Sequence, residues 1–219
     1  LIQPTDATRP PVVDVFIALQ SGTLRKTWDK MSKLEGVPYN TTTASVVAHY
    51  KQRGARHVYV KWIHEADISN MHIAVESTLD AAQLGLVNKH GRRSDRYSNR
   101  WDTNLNMLWL RHEVFKMTLE YGKYDGYTMW REDNLFFTPL AEGQFPTPRM
   151  DGATVVLDKW CRWMGGDSDK IYLANLGGAT LLFDRSFEGF RQKTQSWVQF
   201  ANSSGTVQSD PFQSEAFIT

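Results

Sequence analysis

The sequence predicts an α/β protein in which a mostly parallel twisted sheet is flanked by helices, and three observations support this prediction. An apolar, β-branched run at 12–19 precedes a helical pattern at 24–36, and a second β-branched run follows at 57–63. The order strand, helix, strand is typical of a parallel α/β unit. A long amphipathic pattern at 101–121 supplies a helix that can cover one face of such a sheet.

Length and composition restrict the class of protein. The chain has 219 residues, 41% hydrophobic and 22% charged, so it can bury one substantial core. We expect residues 1–11, rich in Pro and Thr, to be a linker and residues 12–219 to form a single domain, in a parent chain that continues in one or both directions.

Charge and cysteine content argue against several functions. The formal net charge is +1, from 25 basic and 24 acidic residues, which does not favour dedicated nucleic-acid binding. The single Cys161 excludes an internal disulfide and any zinc site that needs two cysteines. No run of apolar residues approaches the length of a membrane span, so none is expected.

The first half of the chain predicts two strands and three helices. The run at 12–19 suits a central strand covered on both faces, and it stops at Gln20-Ser21-Gly22. The strand at 57–63 ends in the polar segment 64–67. A helix is predicted at 69–89 and a basic loop at 90–99. The helix at 101–121 is predicted to be capped by Asp102 or Thr103 and to end at Gly122, and its apolar stripe consists of Leu105, Leu108, His112, Phe115 and Leu119.

The second half of the chain alternates short apolar runs with polar loops. We predict strands at 124–130, 135–140 and 153–157, a Trp-rich loop at 158–170, a helix or strand at 171–183 and a helix at 186–201. The strand at 124–130 runs directly into Arg131-Glu132-Asp133-Asn134. Open α/β sheets bind ligands outside the carboxyl ends of their strands, so this charged strand end is a candidate site.

Two acidic segments are the main candidates for chemistry. Side chains alternate in an extended segment, so Arg131 and Asp133 share one face of it. A carboxylate can hold Mg²⁺ or Mn²⁺ and a neighbouring Arg can bind phosphate oxygens, a pairing that suits a diphosphate; ordinary ion pairs in an edge turn are the alternative. Asp167 and Asp169 follow a pair of glycines. Dinucleotide-binding, P-loop, nucleophile-elbow and zinc-protease motifs are absent from the sequence.

A resemblance to a known family lies in the order of five segments: DVFIAL, WDTNLNMLWLRHEVFKMTLE, KYDGYTMWREDNLFF, VVLDKWCRWMGGDSDKIYLANLGGATLLF and SEAF. Together they resemble a small GT-A glycosyltransferase, similar to nucleotide-sugar enzymes of large algal viruses, xylosyltransferases among them, and of related algal or microbial proteins. The resemblance covers most of residues 12–217. It implies a GT-A-like domain that transfers a sugar such as xylose from a nucleoside diphosphate-sugar, a UDP-sugar foremost, to an oligosaccharide or glycoprotein acceptor.

The resemblance also assigns roles to individual residues. Asp133 takes the place of the last carboxylate of the family's DxD motif, the ligand of Mn²⁺ or Mg²⁺, while Arg131 replaces the first Asp and could partly substitute for the ion. In an alternative register the motif is Glu132-Asp133-Asn134, and Glu132 and Asn134 then flank Asp133. Asp169 matches the Asp of a G-x(2)-D segment near the acceptor, with Asp167 as its neighbour. The positions that border the donor are Leu19, Gln20, Ser21, Asp67, Arg100, Arg131 and Glu132.

The chemistry of sugar transfer fits these assignments and leaves alternatives open. A general base, Asp169 or Asp167, would accept the acceptor hydroxyl's proton in an inverting reaction, and Trp160 and Trp163 could stack on the acceptor sugar or simply pack beneath a loop. The alternatives are a carbohydrate-binding module without turnover and a nucleotide-sugar hydrolase or nucleotide-binding protein. We expect a cytoplasmic enzyme, in the host cell if viral, or else a Golgi-lumen domain separated from its anchor.

Overall fold

A computed structural model describes residues 12–20, 42–91, 100–122, 124–130, 152–157, 171–190 and 192, which form a mixture of helices and small sheets. Strand β1 (Asp14–Gln20) pairs in parallel with β2 (His57–Ile63), in a register that runs from Asp14 opposite His57 to Gln20 opposite Ile63. The predicted parallel pairing of these two strands is therefore confirmed, with the bounds of β2 as predicted and β1 shifted slightly towards the carboxyl end. The helix predicted at 24–36 lies outside the described residues.

Helices lie on both faces of the β1–β2 pair, but β1 is not the fully covered central strand that was predicted, since within the described residues it pairs only with β2 and is half-buried at every position except the buried Leu19. Helix α1 (Thr43–Gln52) lies on one face, where the Trp62 indole N–H donates to Thr43 Oγ1 at 2.8 Å. On the opposite face Lys61 Nζ lies 2.6 Å from Glu113 Oε2. Because Lys61 and Trp62 are consecutive in a strand, their side chains point to opposite sides of the sheet.

The chain after β2 forms two helices where one was predicted. Helix α2 spans Glu65–Glu76 and helix α3 spans Ala81–Leu86, followed by a π-helical segment at Val87–Gly91. The prediction of one helix over 69–89 is wrong because Asp80 begins a new helix, where its side chain accepts from the Gln83 backbone N–H at 2.8 Å. His90 and Gly91 belong to the π-helical segment, and the rest of the predicted basic loop, residues 92–99, lies outside the described residues.

Helix α4 (Arg100–Tyr121) confirms the long helix that the sequence predicts. Gly122 follows it with φ of 135°, a conformation that side-chain-bearing residues rarely adopt. The predicted cap is wrong, since the helix already begins at Arg100 and therefore includes Asp102 and Thr103. Leu119, predicted to be core, is 50% exposed, since it is Tyr121, two residues on and nearly opposite around the helix, whose ring contacts Tyr59 of β2.

The second sheet is antiparallel. Strands β3 (Tyr127–Trp130), β4 (Val155–Leu157) and β5 (Ile171–Ala174) lie in the order β3-β5-β4, and both pairs are antiparallel. The predicted mostly parallel sheet thus applies to β1–β2 and not to this sheet. Parallel neighbours need a long, usually helical crossover, and the sequence between β4 and β5 has no helical apolar pattern.

The segment predicted as helix or strand, 171–183, contains both. Strand β5 leads into helix α5 (Leu176–Ala179) and a π-helical segment at Thr180–Arg185. Residues 186–190 are helical, as predicted.

Two apolar clusters form the core, and α4 contributes to both. The first joins α2 to the start of α4 and consists of Met71, Val75, Val87, Trp101, Leu105, Leu108 and Phe190. The second joins the later part of α4 to the antiparallel sheet and consists of Phe115, Tyr127, Tyr172, Ala174, Ala179 and Phe183. None of the described helices is both long and apolar enough to cross a membrane.

A polar junction fixes α5 against the start of β4. Asn175 is 4% exposed, and its Oδ1 accepts from the backbone N–H groups of Thr154 at 2.9 Å and Gly178 at 2.8 Å. Its Nδ2 donates to Gly152 O at 2.7 Å. One amide side chain therefore begins α5 and joins it to the neighbouring segment.

The start of β1 is held by a buried carboxylate. Arg56 donates to both oxygens of Asp14, with Nε 2.9 Å from Oδ1 and Nη2 2.6 Å from Oδ2. The Tyr124 hydroxyl donates to Oδ2 at 3.1 Å, and the Asp14 side chain is only 2% exposed. The hydrogen bonds from Arg56 lower the pKa of Asp14 although burial opposes this, and burial together with the bond to Asp14 raises the pKa of Tyr124 to about 12.

We expect this cluster to make stability depend on acid pH. Because the pKa of Asp14 is lower in the folded than in the unfolded state, its contribution is complete above the unfolded value of about 3.9 and is lost as the pH falls below it. Urea titrations at several pH values should show that Asp14→Asn lowers the free energy of unfolding near neutral pH by about 1–3 kcal/mol and flattens its decline in acid. Asp125→Asn, at an exposed carboxylate, is the control. Equal acid sensitivity in both variants and the unaltered chain would contradict the expectation.

Candidate functional site

The carboxyl ends of β1 and β2 form one edge, and three of the predicted donor residues lie there. Leu19 is buried and Gln20 half-buried at the end of β1, opposite Trp62 and Ile63. Asp67 follows β2 closely, in the first turn of α2, and its Oδ2 accepts from the His64 backbone N–H at 2.8 Å. The structure therefore brings Leu19, Gln20 and Asp67 to one edge, beside the amino end of a 12-residue helix.

Arg100, also predicted to border the donor, is the first residue of α4. Two residues later Asp102 Oδ1 lies 3.5 Å from His72 Nδ1, which places the start of α4 beside the middle of α2. Arg100 thus begins a helix whose first turn contacts α2.

The other predicted site residues lie outside the described residues. They are Ser21, Arg131, Glu132, Asp133, Trp160, Trp163, Asp167 and Asp169. Strand β3 does end at Trp130, directly before the charged segment, but β1 and β3 belong to different sheets. The crevice predicted between their carboxyl ends is thus not built by one described sheet. No three His, Cys, Asp or Glu side chains could hold a metal ion within the part of the chain that the structure describes.

An open groove of about 540 Å³ runs along α2, on the face that begins at Asp67. Met71 and Val75 are buried at its base, and Trp109 of α4 and Phe187 are partly buried against the same core cluster. Its remaining lining residues are polar or small: Asp67, Asn70, Ala74, Thr78 and Glu188. The groove therefore combines aromatic surface with carboxylate, amide and hydroxyl groups.

A histidine supports one aromatic side chain of this groove. The His112 ring stacks on Phe187, with the ring centres 5.6 Å apart and the planes 27° from parallel. His112 Nδ1 lies 3.0 Å from Asp184 Oδ1, in the π-helical segment that precedes Phe187. The His112 ring thus packs on Phe187 and restricts its position.

A second charged cluster is structural. Glu113 is buried between Lys61, 2.6 Å from its Oε2, and Lys116, 3.2 Å from its Oε1. Burial alone would raise the pKa of Glu113, but the two lysines together lower it. Glu113 is therefore ionised at neutral pH and joins α4 to β2.

The sequence analysis did not predict the groove, although part of its pattern is visible in the chain. Asp67, Asn70, Ala74 and Thr78 recur every three or four residues, beside the apolar pair Met71 and Val75. This spacing indicates a polar and small stripe next to an apolar one on a single helix. The opposite wall, Trp109 and Phe187, comes from distant parts of the chain and is not indicated by any local pattern.

Comparison of the chain with models of protein families, with curated proteins and with solved structures finds no match.

Proposed function

We propose that this protein is a glycosyltransferase that uses a nucleoside diphosphate-sugar as donor. The observation that supports the proposal most is the parallel pairing of β1 and β2, which aligns Gln20 with Ile63 and brings Asp67 to the same edge. Ligands of open parallel sheets bind outside such carboxyl ends. The segments that resemble GT-A enzymes include β1, so the pairing and the resemblance both involve this strand.

The proposed donor site uses both charge and hydrogen bonding. The amino end of α2 has a partial positive charge that favours a diphosphate, and the Asp67 carboxylate can accept hydrogen bonds from ribose hydroxyls. Gln20 and Ser21 are proposed to border the base, and Arg131 with Glu132 the phosphates. Arg100 is proposed to contact the donor because the resemblance implies it.

Asp133 is the residue proposed to bind a divalent cation. Mn²⁺ or Mg²⁺ bound there would neutralise negative charge on the departing diphosphate. The described residues contain no group of three side chains that could hold a metal ion. The remaining steps are assigned to side chains that the resemblance implies. Asp169, or its neighbour Asp167, is proposed to accept the proton of the acceptor hydroxyl, and Trp160 and Trp163 to contact the acceptor.

Donor binding is expected to stabilise the protein. At ten times its dissociation constant a ligand that binds only the folded state adds about 1.4 kcal/mol to the free energy of unfolding, by mass action. Thermal unfolding measured with UDP-, GDP- and dTDP-sugars should show a rise in Tm for at least one nucleotide. A protein stabilised by glycans but by no nucleotide would instead be a carbohydrate-binding module.

The metal is tested by the same measurement. We expect Mn²⁺ or Mg²⁺ to increase the stabilisation by the nucleotide-sugar and excess EDTA to abolish that increase. Asp133→Asn should remove the response to the metal while leaving the Tm of the free protein unchanged. Equal stabilisation with the metal and with EDTA would exclude Asp133 as a metal ligand, and Arg131 would then be the remaining charge for the phosphates.

A further inference from the structure

We infer that the groove along α2 is the binding site for an uncharged oligosaccharide, the acceptor of the proposed transfer. That the oligosaccharide is the acceptor rests on the proposed function. That a glycan binds in the groove follows from the residues that line it. Trp160 and Trp163, the acceptor contacts that the sequence resemblance implies, lie outside the described residues.

The lining has the two features by which proteins recognise sugars. Trp109 and Phe187 are each partly buried against the core cluster, and His112 stacks on Phe187, so both rings have a fixed position. Aromatic rings held in this way can pack against the C–H face of a sugar. Asp67 and Asn70 are exposed on the rim and can hydrogen-bond to hydroxyl groups.

The charge of the groove selects against the donor. Among the residues that the structure describes, its lining includes the carboxylates of Asp67 and Glu188 and no basic side chain. The phosphates of a nucleoside diphosphate would therefore find no cation to pair with along the groove, whereas a neutral hydroxyl-rich ligand needs only hydrogen-bond partners. A glycan therefore fits the groove better than the nucleotide-sugar does.

The length and position of the groove agree with a chain of sugars. From Asp67 to Val75 the helix rises about 12 Å, at 1.5 Å per residue, so the groove is longer than one sugar ring. Its Asp67 end lies at the carboxyl edge of β1 and β2, where the donor is proposed to bind. Ala74, exposed in the middle, is the small side chain that leaves space for the ligand.

A pair of matched substitutions on α2 tests this inference. Ala74→Arg fills the middle of the groove, and Ile73→Arg places the same side chain at a 66% exposed position that does not line it. Arg is a good helix former, so both variants should fold as the unaltered chain does. Xylohexaose, cellohexaose, mannohexaose and chitohexaose serve as probes, with binding measured by calorimetry and by saturation-transfer NMR.

We expect at least one hexasaccharide to bind, Ala74→Arg to weaken that binding about tenfold or more, and Ile73→Arg to leave it unchanged. Asn70→Ala, on the exposed rim, should weaken it by a smaller factor. Stabilisation by the nucleotide-sugar should be the same in both Arg variants, because the donor is bound elsewhere. This last measurement separates the two proposals, since donor binding can succeed when glycan binding fails.

Three results would overturn the inference. The first is that none of the four hexasaccharides binds saturably at millimolar concentration. The second is that a glycan binds Ala74→Arg as tightly as it binds the unaltered chain. The third is that Ala74→Arg, but not Ile73→Arg, no longer binds the nucleotide-sugar. A synthetic amphipathic Lys/Leu peptide is included as a competitor. If it binds with an affinity that Ala74→Arg abolishes while the glycans do not bind, the groove is a docking site for basic peptides.

Discussion

Replacing Gly178 with alanine is expected to lower the free energy of unfolding by about 4 kcal/mol or more, the range reserved for severe core changes. A Cβ atom at this position would overlap the carbonyl oxygen of Thr154 and would lie 2.7 Å from its carbon and 2.8 Å from a Val155 methyl group. The backbone of Thr154 cannot move away easily, because its N–H donates to Asn175 Oδ1, which also accepts from Gly178. Overpacking therefore disrupts the junction between α5 and β4 as well as the local contact.

Two other helical glycines provide the controls for Gly178. A Cβ atom at Gly85 or Gly189 would meet no atom within 4 Å. Alanine has the higher helix propensity, so Gly85→Ala and Gly189→Ala should be neutral or stabilise the protein by up to about 1 kcal/mol. Urea unfolding of the three variants makes the comparison. A Gly178→Ala variant as stable as these controls would mean that α5 and β4 do not pack closely.

Asp169→Asn is expected to reduce sugar transfer by about 10²- to 10⁴-fold under the proposed function, the usual contribution of a general base. Asparagine has nearly the same shape as aspartate but lacks the basic oxygen. Donor binding should therefore survive, so kcat should fall while the rise in Tm with the nucleotide-sugar stays the same. Transfer is measured by release of the nucleoside diphosphate, and the anomeric configuration of the product by NMR.

Asp167→Asn is the matched control for Asp169, since it makes the same chemical change two residues away. Normal transfer by Asp169→Asn together with loss of transfer by Asp167→Asn would exchange their roles. A product that retains the anomeric configuration of the donor would remove the general-base role from both residues. Loss of donor stabilisation in Asp169→Asn would show that this side chain acts in binding.

The elements that could be predicted from the sequence are those whose periodicity is local. Strand β2 was predicted with its observed bounds, because HVYVKWI is bordered by polar residues. Helix α4 was predicted to within one residue, because its apolar stripe and Gly122 mark its length. The break between α2 and α3 was missed although Asp80 is a good N-cap, since the apolar positions on both sides of it continue a similar pattern.

Pairing between strands could be predicted only in part. Parallel pairing of β1 and β2 follows from their apolar composition and from the helix expected between them. Strands β3, β4 and β5 are three or four residues long, too short for composition to specify direction. Their arrangement depends on long-range contacts such as the Asn175 side chain with Gly152 and Thr154, which a sequence pattern does not display.

The candidate site could be predicted only where it follows a strand. Leu19, Gln20 and Asp67 are assigned by the resemblance to GT-A enzymes, and the structure places all three at one strand edge. The wall formed by Trp109 and Phe187 was not, since residues far apart in sequence must meet before the groove exists. Tertiary packing thus determines the groove, while the strand order determines the edge beside it.

Helix α4 links the two apolar clusters, and this affects how the chain can be divided. Its first turns supply Trp101, Leu105 and Leu108 to one cluster and a later turn supplies Phe115 to the other. A fragment that ends before α4 would leave Met71 and Val75 without their covering side chains, and a fragment that starts after it would leave Tyr127 and Phe183 without Phe115. Either piece would present apolar surface to solvent and tend to aggregate, so expression of the two halves as separate proteins requires both to retain a copy of α4.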